Sequence, residues 1–458
     1  MAESKRAKYQ QLVLIICILA SFVAFLDGSI VNVALPAIQR SLGGGLALQQ
    51  WVIDGYLITL GALILIAGSL SDLFGRKTIL KWGLIGFVTT SVLCAVSPNG
   101  TFLITMRALQ GISGALLVPS SLALIIATFD KANQGKAIGR WTAWTGIAFV
   151  IGPLLGGTLV DVYSWRLIFA INVLPIGITL WLMRGLSGSD EANEKTKVDF
   201  IGAALCALGL GGSVFGLIEQ STYGWASALV YLPFILGILL LLAFILFEAK
   251  SKKAMLPLSL FTIRNFGVGN LATAAIYAGL SVASFLITVF VQQVDKYTAL
   301  DAGLALLPVS IVMFLLSPKF GGLATRYGPR FFMAVGPFVA GLGFLLLLNV
   351  GEPIKYISQL LPGVLVFGIG LSMTVAPLTS AILGSIDSKR AGIGSAINNA
   401  VARIAGLVAI ACLALVVGPK LSLSGFHHGV VAMAGLLFAG AAISAIGIQN
   451  HKSPKTEH

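Results

Sequence analysis

Apolar runs of about 20 residues recur along nearly the whole chain, and their length constrains the fold more than any other feature. A helix rising about 1.5 Å per residue covers the roughly 30 Å of bilayer hydrocarbon in that many residues. Inside hydrocarbon every backbone N–H and C=O must be satisfied within the segment, so runs of this length read as helices. The spans fall near 12–38, 50–71, 78–97, 101–127, 136–160, 166–184, 200–219, 228–247, 267–292, 300–318, 330–349, 357–384, 391–417 and 428–448. These about fourteen spans predict an all-α polytopic membrane protein. With 57% hydrophobic and 10% charged residues, the chain has too little polar surface to be wetted as a soluble protein.

Orientation follows from the basic residues, which are retained on the cytoplasmic side. With the N-terminus inside, roughly 23 of the Lys and Arg fall in cytoplasmic segments, about five outside and about two within spans. This places both termini in the cytoplasm. The net charge of +13 then reflects topology and contact with anionic lipid, and gives no argument for nucleic acid. The run after "MAESKRAKYQ" is of span length and has no small-residue cleavage pattern, so a first helix is expected rather than a removed signal. Cys17, Cys94, Cys206 and Cys412 lie far apart inside spans and imply no disulfide framework. His427, His428, His451 and His458 fall in an expected loop or the tail, so no metal site is expected. The sequence also lacks a GxxxxGK[ST] phosphate loop and any soluble segment large enough for a nucleotide domain. No cofactor is implied.

"GSLSDLFGRK" (Gly68 to Lys77), between spans 2 and 3, packs one acid and two bases into a short turn. A weaker copy, "GGLATRYGPR" (Gly321 to Arg330), stands between spans 10 and 11, with Thr325 where the first has its acid and Pro329 where it has Arg76. Two six-span halves with one inserted pair, spans 7 and 8, account for that separation. The expected organisation is a tail at 1–11, a six-helix bundle at 12–185, a linker at 186–199, the inserted pair at 200–247, a second linker at 248–266, a second bundle at 267–448 and a tail at 449–458. Gly68 and Gly75 would let the helices approach and reverse. Asp72 could accept from helix N-termini of the facing half, and Arg76 and Lys77 could pair with an acid such as Asp130, latching the halves on the cytoplasmic side. The weaker copy predicts a weaker latch.

The first turn resembles the loop 2–3 signature of the major facilitator superfamily. "LDGSIVNVALP" (Leu26 to Pro36), "RALQGISGA" (Arg107 to Ala115), "GIAFVIGPLLGG" (Gly146 to Gly157) and "WRLIFAINVLPIG" (Trp165 to Gly177) resemble, in order, the fourteen-helix drug:proton antiporter family within it. The resemblance covers essentially the whole chain. It implies two bundles alternating about a central site, with multidrug efflux driven by inward proton flow. The chain departs from the family pattern at Gln134, where relatives usually carry Arg. It has no acid in span 13, and Asp301 lies only at the edge of span 10.

The candidate residues follow. Asp27 lies about 15 residues into span 1, roughly 22 Å along it. An acid there costs on the order of 2.5–3.5 kcal/mol, and such an acid can take up a proton and release it when the cavity opens to the other side. The alternative is a packing carboxylate that is always paired. Arg107 enters span 4 from the outside at similar depth and would tune Asp27, since guanidinium does not give up its proton. Gln110, Gly111 and Gly114 continue a polar, close-packing face. Asp54, between Trp51 and Tyr56, reads either as an entry-site acid or as an interfacial acid beside anchoring aromatics. In span 5, Gly152, Pro153, Gly156 and Gly157 imply a kinked, tightly packing helix, and with Gly146 they carry the antiporter resemblance. Asn32, Trp144, Phe149, Tyr277, Asn398 and Arg403 are candidates for a substrate cavity, Arg403 being expected to pack with Asn398 and Asn399. The leading expectation is a monomeric cell-membrane exporter of lipophilic small molecules, in contact with protons and lipids. Uptake of a polar solute such as a sugar is the alternative within transport. A sensor or scaffold would need long binding loops, and an enzyme would need paired catalytic groups; neither is found.

Overall fold

The computed structural model describes residues 2–186, 198–251, 254–387, 390–418 and 421–450. Of the expected linker 186–199 and tail 449–458, only 186, 198–199 and 449–450 lie among these, and Met1, residues 252–253, His451 and His458 lie outside them. Among the described residues there is no strand, and thirteen helices are long and apolar enough to cross a bilayer. The expected sixth span is a shorter apolar stretch, Leu167–Met183.

In chain order the helices are α1 (Ala2–Leu42), α2 (Gly45–Phe74), α3 (Arg76–Ala95), α4 (Gly100–Thr128), α5 (Lys131–Gly146), α6 (Ala148–Val162), α7 (Leu167–Ala170), α8 (Val173–Met183), α9 (Phe200–Tyr223) and α10 (Ala228–Lys250). They continue with α11 (Arg264–Gln293), α12 (Ala299–Tyr327), α13 (Pro329–Leu346), α14 (Leu361–Leu383), α15 (Ala391–Ala411), α16 (Leu413–Val417) and α17 (Leu423–Gly447). Span 5 is therefore two helices meeting at Ile147, and span 6 is two helices meeting at Ile171 and Asn172. His427 and His428 lie inside α17 rather than in a loop, with His427 Nε2 at 2.9 Å from the Val350 carbonyl.

Local chemistry sets several ends. Asn99, Asp199 and Ser422 precede α4, α9 and α17 and accept from Phe102, Gly202 and Gly425 backbone N–H at 2.9, 2.8 and 3.1 Å. The two copies of the repeated turn share one backbone geometry. Gly75 has φ 93° and ψ 140°, and Gly328 has φ 90° and ψ 151°. Glycine is the residue that reaches this region without a Cβ clash, so the same break in the helical rod occurs at both positions.

The chain divides into two compact units. The first comprises Met1–Leu256, Ile287–Leu304 and Gly418–Leu421. Within it α1 packs on α4, α5, α6 and α8, and α2 packs on both α4 and α9. The inserted pair, α9 and α10, docks through Trp51, whose Nε1 donates to Glu219 Oε1 at 2.7 Å and whose ring meets Phe215 at 5.8 Å. On α10, Leu229, Leu232, Leu236 and Leu239 stay uncovered, an apolar face suited to lipid. The second unit comprises Pro257–Leu286, Ala305–Val417 and Ser422–His458, and in it α13 packs on α14 and α17.

Candidate functional site

The first unit encloses a charged cluster built by five helical segments. Asp27 on α1 and Arg107 on α4 are 0% and 2% exposed, and Arg107 Nη1 donates to Asp27 Oδ2 at 2.6 Å. The other carboxylate oxygen, Oδ1, accepts from Gln110 Nε2 at 3.2 Å and from Asn172 Nδ2 at 3.3 Å. Both amides also donate to Ser91 Oγ on α3, at 2.8 and 3.2 Å. Arg107 donates further to Gln110 Oε1 at 2.7 Å and through Nε to the Val52 carbonyl at 3.0 Å. Its guanidinium lies 4.3 Å from the Tyr56 ring centroid and 5.7 Å from that of Phe169. Charge, hydrogen bonds and aromatic faces together replace the water these two ions have lost.

The local sequence explains how the groups converge. Arg107 and Gln110 are three apart on α4 and so share a face. Asn172 stands in the break between α7 and α8, where the interrupted helix turns a lone amide inward. Asn172 and Ser91 were not among the expected residues. For Asn172 the signal was a single polar side chain inside the apolar run "LIFAINVLPIG"; Ser91 follows two threonines in "TTSVLCAV" and nothing there sets it apart.

Asp54 is wholly buried on α2, and neither carboxyl oxygen has a hydrogen-bond partner. Beside it, Trp51 is engaged by Glu219 and Tyr56 lies against Arg107. Such an orphaned acid is costly as a carboxylate and much less so as a neutral carboxyl.

The glycines sort by what they touch. On α4, a Cβ on Gly111 would meet the Thr59 hydroxyl and the Tyr56 carbonyl, and one on Gly114 would meet Tyr56 Oη at 2.8 Å, so these two seat α4 on α2. On α6, Gly152 and Gly156 face Ser29, Ile30 and Val33 of α1, while Gly157 faces the backbone of Ala299 and Leu300 at the start of α12. There Asp161, also unanticipated, accepts from the Ala299 and Leu300 N–H groups at 3.0 and 2.8 Å, capping α12. Gly68 and Gly146 face open space, so neither is a close-packing residue.

In the cytoplasmic-turn candidates, Arg76 Nη2 reaches Asp72 Oδ1 at 3.5 Å, one helical turn away, with both side chains partly exposed. Asp130 is held by Arg6 at 2.7 Å rather than by Arg76, and Lys77 lies 5.9 Å from the Tyr9 ring centroid.

Among the cavity candidates, Asn32, Trp144 and Phe149 belong to the first unit. Asn32 Nδ2 donates to the Gly28 carbonyl at 3.3 Å, Phe149 meets Phe25 at 5.7 Å, and Trp144 is exposed. Tyr277, Asn398 and Arg403 belong to the second. Asn398 Nδ2 donates to Asn270 Oδ1 at 3.2 Å and Thr273 Oγ1 at 2.8 Å, while Asn399 Nδ2 donates to the Ser395 carbonyl at 3.0 Å. Arg403 stands on the same helix, α15, near Tyr277.

A sequence profile of the Major Facilitator Superfamily matches residues 17–410. The chain is 33% identical over 410 residues to the methylenomycin A resistance protein of Bacillus subtilis, covering 88% of this chain and 87% of that one. It is likewise 33% identical over 418 residues to the multidrug resistance protein Stp of Mycobacterium tuberculosis, covering 90% and 77%. Among solved structures, a peptide transporter POT in complex with sulfate superposes with TM-score 0.69 at 15% identity, covering 95% and 93%. The xylose transporter XylE from E. coli, in a partially occluded inward-open conformation, gives TM-score 0.66 at 14% identity, covering 98% and 99%. These two likenesses establish the architecture alone.

Proposed function

The chain belongs to the major facilitator superfamily, and on that premise we propose that it exports lipophilic small molecules, drugs or antibiotics among them, in exchange for protons. It is a multi-pass membrane protein. We place it in the cytoplasmic membrane as a monomer with both termini inside, moving its substrate by alternating access without chemical change. Relatives named for methylenomycin and multidrug resistance support the substrate class.

The observation that carries proton coupling is the Asp27–Arg107 pair, at 2.6 Å and shut off from solvent. In this arrangement Asp27 is the anion that balances Arg107. A proton arriving at Oδ2 must compete with Nη1, so uptake requires Arg107 to move away, towards Gln110 Oε1 and the Val52 carbonyl that it already engages. Proton binding at Asp27 and displacement of α4 against α1 thereby become one event. Asp54, with no donor on either oxygen, serves as the second carboxyl and holds a proton while Asp27 is paired. The glycine-lined contacts of α6 with α1 fix the frame against which that movement is read out.

Asp27→Asn keeps the hydrogen-bonding shape but cannot cycle a proton. The variant is expected to reach the membrane folded and to lose all substrate accumulation driven by an imposed pH difference in proteoliposomes. A growth-inhibition panel in a pump-deficient bacterium, with and without a protonophore, supplies the substrate. If the Asp27→Asn protein still concentrates that substrate under the pH difference, the proton assignment fails.

A further inference from the structure

A second pair of buried acids lies outside this cluster, where the inserted helices begin and end. Asp199 caps α9 and is 6% exposed, and Glu248, in the last turn of α10, is 3% exposed. Each uses one carboxyl oxygen on backbone N–H. Asp199 Oδ1 accepts from Gly202 at 2.8 Å, and Glu248 Oε2 accepts from Leu256 at 2.7 Å in the segment that follows α10. The remaining oxygens, Asp199 Oδ2 and Glu248 Oε1, have no donor. They converge on one small space: a Cβ on Gly202 would lie 2.9 Å from Asp199 Oδ2 and 2.5 Å from Glu248 Oε1. Absence of that Cβ is what lets them meet.

Two carboxylate oxygens turned toward one small space, buried and without a donor, repel each other and lack their hydrogen bonds. One particle between them cures both faults. A metal cation would want four to eight ligands, as a rough rule, and only two oxygens are free here, next to a helix N-terminus whose polarity opposes a cation. A proton needs two. We propose that Asp199 and Glu248 share a single proton, forming a carboxyl–carboxylate clasp that closes the inserted helix pair at its linker end. The proton binds as Asp199–COO⁻ and Glu248–COO⁻ take up one H⁺, and it leaves to water as the clasp opens. Opening frees the entry to α9 and the Met255–Leu256 segment together, because both are tied to these acids. The clasp therefore responds to pH on the linker side of the membrane, independently of Asp27. Of the other titratable groups among the described residues nearby, the Cys206 thiol faces Glu248 from α9, while Lys250, two residues beyond Glu248 on α10, is exposed. Asp199 is flanked by the uncharged Val198 and Phe200, and the stretch Ala254–Pro257 brings no titratable side chain.

The test uses full-length protein in lipid nanodiscs and follows the infrared band of protonated carboxyl groups as pH is raised. Glu248→Gln and Asp199→Asn each replace the shared proton by an amide hydrogen bond, so each is expected to delete the same one-proton component. The double variant should delete no more than either single one. Gly202→Ala, which wedges the oxygens apart while leaving both acids in place, should also lose that component. The proposal is overturned if either amide variant leaves the titration of the band unchanged, if the double variant removes twice the signal of a single one, or if folded Gly202→Ala retains it.

Discussion

Each unit of the molecule carries a polar cluster bridging helices in an apolar interior, and the two clusters differ in charge. In the first, Asp27, Arg107, Gln110, Asn172 and Ser91 tie α1 to α3, α4 and the α7–α8 break around an ion pair. In the second, Asn270, Thr273 and Asn398 tie α11 to α15 with neutral groups only. Both would serve to fix helix against helix. For that purpose alone the neutral version is the cheaper, since desolvating two ions costs several kcal/mol each on general grounds while amides and hydroxyls cost much less. A duplicated fold that keeps charge on one side and amides on the other points to a task for the charge beyond packing, and exchange of a proton is that task in our reading.

The largest expected effect breaks the charged cluster on one side. Arg107→Ala leaves Asp27 buried beside Gln110 and Asn172 with no counter-charge, which should cost about 3–5 kcal/mol of stability. Because the loss arises from an uncompensated ion, combining it with Asp27→Asn should recover much of it. Unfolding in detergent, followed by tryptophan fluorescence or calorimetry, gives both values. If the double variant is no more stable than Arg107→Ala, the pair acts through packing and not through charge.

A smaller effect is expected in the neutral cluster. Asn398→Ala removes the donor to Asn270 and Thr273, yet Thr273 keeps its bond to the Gly269 carbonyl at 2.9 Å and Asn270 Nδ2 keeps its bond to the Phe266 carbonyl at 2.9 Å. A loss of about 1–2 kcal/mol follows, and it should not vary with pH between mildly acid and mildly alkaline conditions, since no member titrates there. A pH-dependent loss measured in the same unfolding assay would mean that a charge reaches this cluster too, and the contrast between the units would dissolve.

The contrast was partly legible in the sequence. Asp27, Arg107 and Gln110 announce themselves as charged or polar residues in long apolar runs, and their spacing puts Arg107 and Gln110 on one helical face. Asn172 was less visible, because only the break between α7 and α8 turns its amide inward, and a periodicity argument assumes a continuous helix. Asp54 was legible as an acid but not as a wholly buried one, because burial is set by tertiary packing that flanking residues cannot report. Partners of flexible charged side chains were the least legible. Asp130 stands well placed for Arg76 along the chain, yet Arg6, 124 residues away, reaches it. The helical architecture itself followed from span length, since hydrocarbon leaves the backbone so few options.

The two copies of the repeated turn offer the finest comparison, and here stability and transport should rank in opposite orders. Arg76 makes a 3.5 Å contact to Asp72 with side chains 33% and 50% exposed, a kind of surface pair worth at most about 1 kcal/mol and often nothing measurable. Arg330 instead donates through Nε and Nη2 to the Ala445 carbonyl at 2.8 and 2.6 Å, closing the C-terminal turn of α17, and its backbone N–H donates to Asn450 Oδ1 at 3.1 Å. A cation on the last carbonyls of a helix satisfies orphan acceptors and meets the favourable end of its dipole. Arg330→Ala should therefore cost about 1 kcal/mol and Arg76→Ala a few tenths, read from unfolding midpoints of the two proteins side by side. If the first turn gates, efflux at equal membrane abundance should show the reverse: a clear loss for Arg76→Ala and a mild one for Arg330→Ala. One turn would then have kept its acid for movement while the other turned its arginine to holding a helix end. Should efflux instead fall in the same order as stability, the first turn has no gating role, and its charges serve orientation alone.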